Sequence, residues 1–385
     1  MFVQTATRQG KFFSRLSPNT PPCGHAPKLK APMPAISVIV PMRNEAATIG
    51  KCLRSLLSQT IASSEYEIIV VDGISDDSSP EIVLKLQAAA PNLVLLQNPS
   101  RTMSAGMNIG LRNASAPIVI VAGAHTSYPS DYFEKCLRYL SETGADVVGG
   151  PLVTTPRSDG FAPRMIAAIL SSRFGVGNAS FRTGLKEGWV DTVPYPAYRK
   201  KIFERCGVYS EHLVRAQDCE LHARIRQNGG RIYQTPELMT HYHPVDTFRA
   251  LLSKAFLDGK WQCIAVAKNP HSFALHRFVP ALMVTLLAGV TVLSTFVPRA
   301  WVLTIGFLLA YLLTGFYFAL AQSPAAGLLI RLSLPFCAFP FHLCYGVGTV
   351  AGLWHVLREP ARSGMTAAAG PLHRESLANG DEKTL

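Results

Sequence analysis

Apolar and polar positions alternate in blocks from Ile36 onward. Ile36–Val40 is an apolar run that stops at Pro41. Ile49, Cys52, Leu53, Leu56 and Leu57 then recur on one face of a helix. Glu67–Val71 reads as a second strand. Ser79-Pro80 opens a helix, with Ser79 as cap and Pro80 at the first helical position. Leu93–Gln97 is a third strand, Met103–Ala114 a helix and Ile118–Ala122 a fourth strand. Strands alternating with helices predict βαβ units and an α/β fold around a mostly parallel sheet. Ligands of such sheets bind beyond the carboxyl ends of the strands.

The last third follows another pattern. Residues 278–297, 301–321 and 330–354 are long apolar stretches. About 20 helical residues at ~1.5 Å each cross a ~30 Å hydrocarbon core, so transmembrane helices are expected here. Pro298-Arg299-Ala300 is short enough to make the first two a hairpin. The third contains Arg331, Pro335 and Pro340, so it either spans with a kink or dips and returns. Ahead of them, Phe248, Leu251, Leu252, Ala255 and Phe256 share a helical face. Residues 246–270 are therefore expected as an amphipathic helix on the bilayer surface, packing on the domain being the alternative.

Composition agrees with a membrane neighbour. The chain has 385 residues, a formal net charge of +12 and 48% hydrophobic residues. It has no Cys/His finger and no basic helix interleaved with aromatics, which argues against nucleic acid as a partner. Its eight cysteines show no CxxC spacing. That pattern predicts reduced thiols in a cytosol-facing protein, not a disulfide frame or a zinc site. Residues 1–35 are basic, lack any acid and lack the apolar core of a signal peptide. They and residues 362–385 read as disordered tails.

Two turns carry the first candidate chemistry. The first strand runs into Pro41, Arg43, Asn44 and Glu45, and the second into Asp72 and Asp77. Both turns lie at carboxyl ends of neighbouring strands, so they share one crevice. Asp72 can accept hydrogen bonds from an imide N–H or ribose hydroxyls. Alone, Asp72 reads equally as a turn residue and Asp77 as a helix cap. A third stretch, Arg215–Tyr233, places Asp218 and Glu220 ahead of an amphipathic helix. Backbone N–H groups and the helix dipole favour a carboxylate there, and Asp218 alone reads equally as a cap.

These stretches resemble the family 2 glycosyltransferases of the GT-A fold. The resemblance runs from Ile36 to Trp261. It is nearest to the exopolysaccharide subgroup that includes the succinoglycan glucosyltransferase. It implies that Pro41, Glu45, Asp72 and Asp77 surround the nucleotide, with Ser104 and Asn108 on the helix beneath it. The family's Asp-X-Asp, which holds Mg²⁺ or Mn²⁺ on the diphosphate, falls at Gly123 and His125. The subgroup reads Asp-X-His there, so His125 fits and Gly123 does not. Either the Mg²⁺ or Mn²⁺ is held mainly by the diphosphate and water, or cationic side chains replace part of it, with Arg101, Arg173 and Arg182 as candidates. Asp218 matches the family's catalytic base and Glu220 its supporting acid. Tyr195 and Tyr198 read as a sugar shelf or as core. Lys260 and Trp261 match a segment near the diphosphate and acceptor. His241 and His243 read only weakly as a metal pair, because they align only in extended chain.

The expected protein is thus a membrane-anchored, inverting hexosyltransferase. A nucleotide-diphosphate sugar, UDP-hexose above all, is the expected donor. A lipid-linked oligosaccharide is the expected acceptor. The expected place is a bacterial-type plasma membrane, with the catalytic domain on the cytosolic face. Transfer to polyprenyl phosphate and a sugar-nucleotide binder without turnover stay open as alternatives.

Overall fold

The computed structural model describes residues 33–177, 179–183, 187–321 and 327–358. The expected tails over 1–35 (save the last three residues) and 362–385 lie outside the described residues.

Eleven strands are described: β1 (Ile36–Met42), β2 (Tyr66–Asp72), β3 (Leu93–Gln97), β4 (Ile118–Val121), β5 (Thr126–Ser127), β6 (Val147–Gly149), β7 (Leu152–Thr154), β8 (Gly188–Trp189), β9 (Ala197–Arg199), β10 (Ile232–Gln234) and β11 (Thr240–Tyr242). Eight of them form one sheet in the order β3-β2-β1-β4-β9-β6-β10-β8. The first four are parallel, β9 runs against both β4 and β6, and β8 runs against β10. Strands β5, β11 and β7 make a small second sheet. The four strands expected from the apolar runs are all present.

Helices cover both faces of the large sheet. On one side lie α1 (Ile49–Leu57), α2 (Ser79–Gln87) and α4 (Tyr132–Thr143); on the other lies α3 (Met103–Asn113). The period-two alternation of β1 explains the two cores. Val38 and Val40 pack with Leu53 of α1 and Phe133 of α4, while Ile39 packs with Met107 and Leu111 of α3. Gly110 lets α3 cross β1 closely, because a Cβ there would run into Ile39.

Later helices carry the chain to its apolar end. They are α5 (Phe161–Ser171), α6 (Arg173–Val176), α7 (Ser180–Thr183), α8 (Ile202–Cys206), α9 (Gln217–Gln227), α10 (Phe248–Lys268), α11 (Val279–Phe296), α12 (Trp301–Leu320) and α13 (Leu328–Arg358). The segments Val279–Phe296, Pro298–Leu320 and Leu328–Arg358 are long and apolar enough to cross a membrane. Pro335 and Pro340 sit inside α13, which continues as one helix rather than breaking into a dip and return.

The amphipathic segment forms α10 and is packed against protein. Its buried residues include Leu251, Ala255, Gly259 and Cys263. Glycines let it lie close to α13: side chains at Gly348 and Gly352 would strike the carbonyls of Phe256 and Lys260. This is the small-residue contact by which apolar helices associate. Helix α5 joins the same apolar cluster, with Met165 and Ile166 beside Leu334 and Ala338 of α13. His342 of α13 links Tyr311 of α12 (2.9 Å) to the carbonyl of Gly175 (3.1 Å). The sheet domain and the apolar helices thus share one core.

Candidate active site

The turns after β1 and β2 are laced together. The Asn44 N–H donates to Ser75 Oγ (2.9 Å), and Asn44 Oδ1 accepts from the Asp76 N–H (3.0 Å). The Glu45 N–H donates to Ser79 Oγ (2.8 Å). Asp77 accepts from the backbone N–H groups of Ala46 and Ser79, both at 3.0 Å. These bonds hold its carboxyl below the usual range, against the opposing effect of burial. Ser79 is therefore not the cap of α2: the helix starts at Ser79 after Ser78, and Asp77 accepts the Ser79 N–H from just ahead of the cap position. Asp72 is buried and accepts from the backbone N–H and hydroxyl of Ser75, at 3.1 and 2.5 Å. Pro41 is buried at the end of β1, and Arg43 is exposed.

The strand that ends at Val121 delivers His125 to the same edge. His125 Nδ1 lies 3.0 Å from Glu45 Oε1, and Nε2 lies 3.3 Å from the Tyr195 hydroxyl. The Thr48 hydroxyl donates to the other Glu45 oxygen (2.8 Å). Burial opposes the charge of Glu45. The hydrogen bond and charge of His125, then Thr48 and Arg157, outweigh it and lower its pKa. Tyr242 meets the imidazole edge-on at 5.3 Å, and the Arg182 guanidinium lies over the Tyr242 ring at 5.1 Å. Arg182 Nη1 is buried without a hydrogen-bond partner among the described residues.

These residues do not make a divalent-ion site. A Cβ on Gly123 would lie 2.5 Å from the Tyr195 ring, so no carboxylate fits there beside the tyrosine. Both nitrogens of His125 already have partners. No group of three or more His, Cys, Asp or Glu converges among the described residues. His241 and His243 also part company: His241 Nδ1 faces Thr155 (3.4 Å), while His243 Nε2 faces Ser127 (3.1 Å) and Lys51 (3.3 Å).

Asp218 lies in the first turn of α9, one residue after Gln217. The neighbouring Gln217 side chain reaches Met103, the first residue of α3, at 3.1 Å. The loop before α9 is clamped to α3. Ser104 Oγ donates to the Leu213 carbonyl (2.7 Å). Asn108 Nδ2 donates to the Tyr209 carbonyl (2.9 Å), and its Oδ1 accepts from the Tyr209 N–H (3.0 Å). Ser104 and Asn108 are buried. Their polar atoms hold the loop before α9 to α3. From the other side, Arg215 donates to Asp258 of α10 (2.8 Å), and Trp261 packs with Leu213 and Ala216. Lys260 is half-buried on the same helix. Glu220 is buried and paired with Arg224 (2.6 Å), which also donates to the carbonyls of Cys206 and Val208.

Tyr198 is not a sugar shelf. It is fully buried on β9, and its hydroxyl is held by Tyr209 (2.9 Å) and by His222 Nε2 (2.9 Å). The aromatic-Pro-Ala-aromatic spacing put it in a strand whose residues alternate, so it points away from Tyr195. His222 completes this buried chain through Thr192 (2.7 Å), and burial pushes its pKa down to about 4. Sequence reasoning passed over His222, although it follows Asp218 by one helical turn. It also passed over Thr48 and Arg157; Thr48 at i+3 from Glu45 was the one readable signal.

Backbone strain marks the same edge. Among the described residues, the non-glycine residues with positive φ are Asn44, Ile74, Arg101, Tyr195 and Ala216. Each sits in a loop beyond β1, β2 or β3, beside the end of β4, or just before Asp218. Such conformations cost about 1–3 kcal/mol and gather where function holds them.

Residues 37–207 match the family model "Glycosyl transferase family 2". The chain carries a family 2 glycosyltransferase domain. It is 29% identical over 250 residues to "Succinoglycan biosynthesis protein ExoA" of Rhizobium meliloti, covering 64% of this chain and 72% of that one. It is 29% identical over 231 residues to "Glycosyltransferase AglE" of Haloferax volcanii, covering 60% and 73%. Among solved structures, it superposes on a mannosyltransferase from Pyrobaculum calidifontis in complex with GDP-Man and Mn²⁺. That match has a TM-score of 0.55 at 20% identity and covers 84% of this chain and 88% of that one. The fold is accordingly GT-A, and the chain is a transferase joined to helices apolar enough to span a membrane.

Proposed function

We propose that this glycosyltransferase acts in glycan synthesis, moving a hexose from UDP to a lipid-linked oligosaccharide with inversion. The observation that carries the reading is Asp218. It lies in the first turn of α9, behind a loop pinned to α3 and α10, and in this reading it faces the turns that carry Glu45, Asp72 and His125. Inverting transfer needs a carboxylate to take the proton of the attacking hydroxyl. The first turn of a helix keeps such a carboxylate ionised.

The donor lies across the turns after β1 and β2. Asp72 accepts from the base, and His125 and Arg182 face the diphosphate. The leaving diphosphate gains negative charge as the sugar departs, and the half-buried Arg182, whose Nη1 has no hydrogen-bond partner among the described residues, meets that charge. The name of ExoA supports polysaccharide synthesis. A relative from Methanococcus voltae, 24% identical over 242 residues, has a dolichyl phosphate sugar in its name and supports a lipid-linked acceptor. The apolar helices would hold enzyme and acceptor in one membrane, a plasma membrane with the domain on the cytosolic side. Confinement raises local concentration and fixes approach.

The test is a panel of labelled nucleotide sugars given to membranes that contain the protein, with lipid extraction and anomer analysis of the product. The reading expects label from a UDP-hexose in a lipid fraction with inverted anomeric configuration. A retained configuration, or label only in water-soluble product, contradicts it.

A further inference from the structure

A cavity of about 700 Å³ opens beside α9, between β8 and the segment ahead of α11. Its wall carries Arg173, Arg226, Arg231, Arg277 and His276. One carboxylate, Asp191, faces them, and it is largely exposed and already paired with Arg226 at 3.2 Å. The cavity thus holds a clear excess of positive charge.

These cations are only partly engaged by the fold: Arg226 reaches Asp191 and donates to the His271 carbonyl, both at 3.2 Å. Arg226 Nε is buried with no hydrogen-bond partner among the described residues. Arg277 donates to the neutral Gln262 side chain at 3.0 Å. Arg231 lies 3.6 Å over the Trp189 ring, an exposed platform. A guanidinium with free donors in a concave site fits phosphate oxygens.

Two neighbours say what kind of phosphate. Cys219 lines the cavity, so its wall adjoins Asp218. At the other end, Phe273 lines it and stacks on Phe278 at 5.0 Å. Leu275, Val279 and Leu282 follow as exposed apolar side chains, leading into a segment apolar enough to cross a membrane. The cavity therefore lies next to the residue proposed as base and meets an apolar track at its other end.

We propose that this cavity binds the diphosphate head of a lipid-linked acceptor, with its lipid chain along Phe273 and Leu275 and its first sugars toward Asp218. The assignment rests on Asp218 as the base. It adds a limit on the acceptor: with the phosphates this close to Asp218, the reacting hydroxyl belongs to a short saccharide.

The full-length protein in detergent is titrated with farnesyl diphosphate, followed by tryptophan fluorescence. Farnesol, inorganic pyrophosphate and phosphatidylglycerol vesicles serve as competitors, and UDP is titrated in parallel. Farnesyl diphosphate should bind at least about tenfold more tightly than any competitor. Arg226→Gln and Arg277→Gln should each weaken it about tenfold while UDP binding stays unchanged. Should either variant lose UDP binding as well, Arg231→Gln, on the exposed rim, takes its place. Equal binding of pyrophosphate makes the cavity a free-phosphate site, and equal binding of phosphatidylglycerol makes it an ordinary bilayer contact. Either result overturns the proposal, as does unchanged binding in the arginine variants. Intact farnesyl diphosphate binding in a protein that consumes no nucleotide sugar keeps the cavity and removes the transferase reading instead.

Discussion

The Tyr195 ring fills the space where a side chain on residue 123 would stand. A Cβ built on Gly123 lies 2.5 Å from the ring carbons and 2.7 Å from the hydroxyl. The same hydroxyl reaches His125. Glycine at 123, tyrosine at 195 and the orientation of His125 are therefore one arrangement, and a change at any one disturbs the others.

Gly123→Asp should displace Tyr195 and cost about 1–3 kcal/mol of stability, the usual range for overpacking. Adding Tyr195→Ala should recover part of that loss and leave room for a carboxylate near His125. Thermal denaturation of the unaltered protein and the two variants checks the first point. Manganese titration of the double variant checks the second: it should bind the ion where the unaltered protein does not.

We propose that Arg182 and His125 meet the diphosphate charge in place of a divalent ion. Turnover should survive EDTA. Arg182→Ala should lower turnover roughly 10²-fold, the scale of removing one preorganised charge partner. Arg182→Lys should recover part of it. Loss of activity in EDTA that manganese restores would contradict the assignment.

His222 gives a pH signature. Its pKa falls from an ordinary 6.5 to about 4 in the folded protein because burial disfavours the charged ring. Between those values the unfolded chain binds a proton that the folded chain refuses. Stability from this group is therefore full above pH 6.5 and falls as the pH drops toward 4, by up to about 1.4 kcal/mol per pH unit. Denaturant melts from pH 8 to 4 should show this slope, and His222→Gln should flatten it.

Asn108 holds the loop that leads to Asp218. Asn108→Ala would leave the buried N–H and carbonyl of Tyr209 without their partner, at a cost of about 1–3 kcal/mol. It should also lower kcat more than it changes the KM for donor, since it moves the loop and not the nucleotide turns. Steady-state kinetics with the donor varied separates the two.

Much of the fold was legible because its signals are local. The period-two run at Ile36–Val40 and the helical spacing from Ile49 to Leu57 decide their own structure. The apolar lengths of the C-terminal helices do the same. What alternation could not show was destination. The segment at 246–270 is amphipathic either way, and glycines at 348 and 352, a hundred residues on, turn its apolar face to α13. Tyr198 and Tyr195 look alike in sequence, yet strand geometry sends one into the core and one to the site. Ser104 and Asn108 follow the family pattern, but their partners are backbone groups of Tyr209 and Leu213, which no local reading reveals. The charged cavity escaped notice because its arginines come from three separate stretches, around 173, 226–231 and 277.

The central claim is that Asp218 takes the proton from the acceptor. Asp218→Asn keeps the shape and the hydrogen bond from the Cys219 N–H but removes the base. Turnover of labelled UDP-hexose should fall about 10²–10⁴-fold while UDP binds as before. A variant that transfers sugar at the unaltered rate would contradict the account.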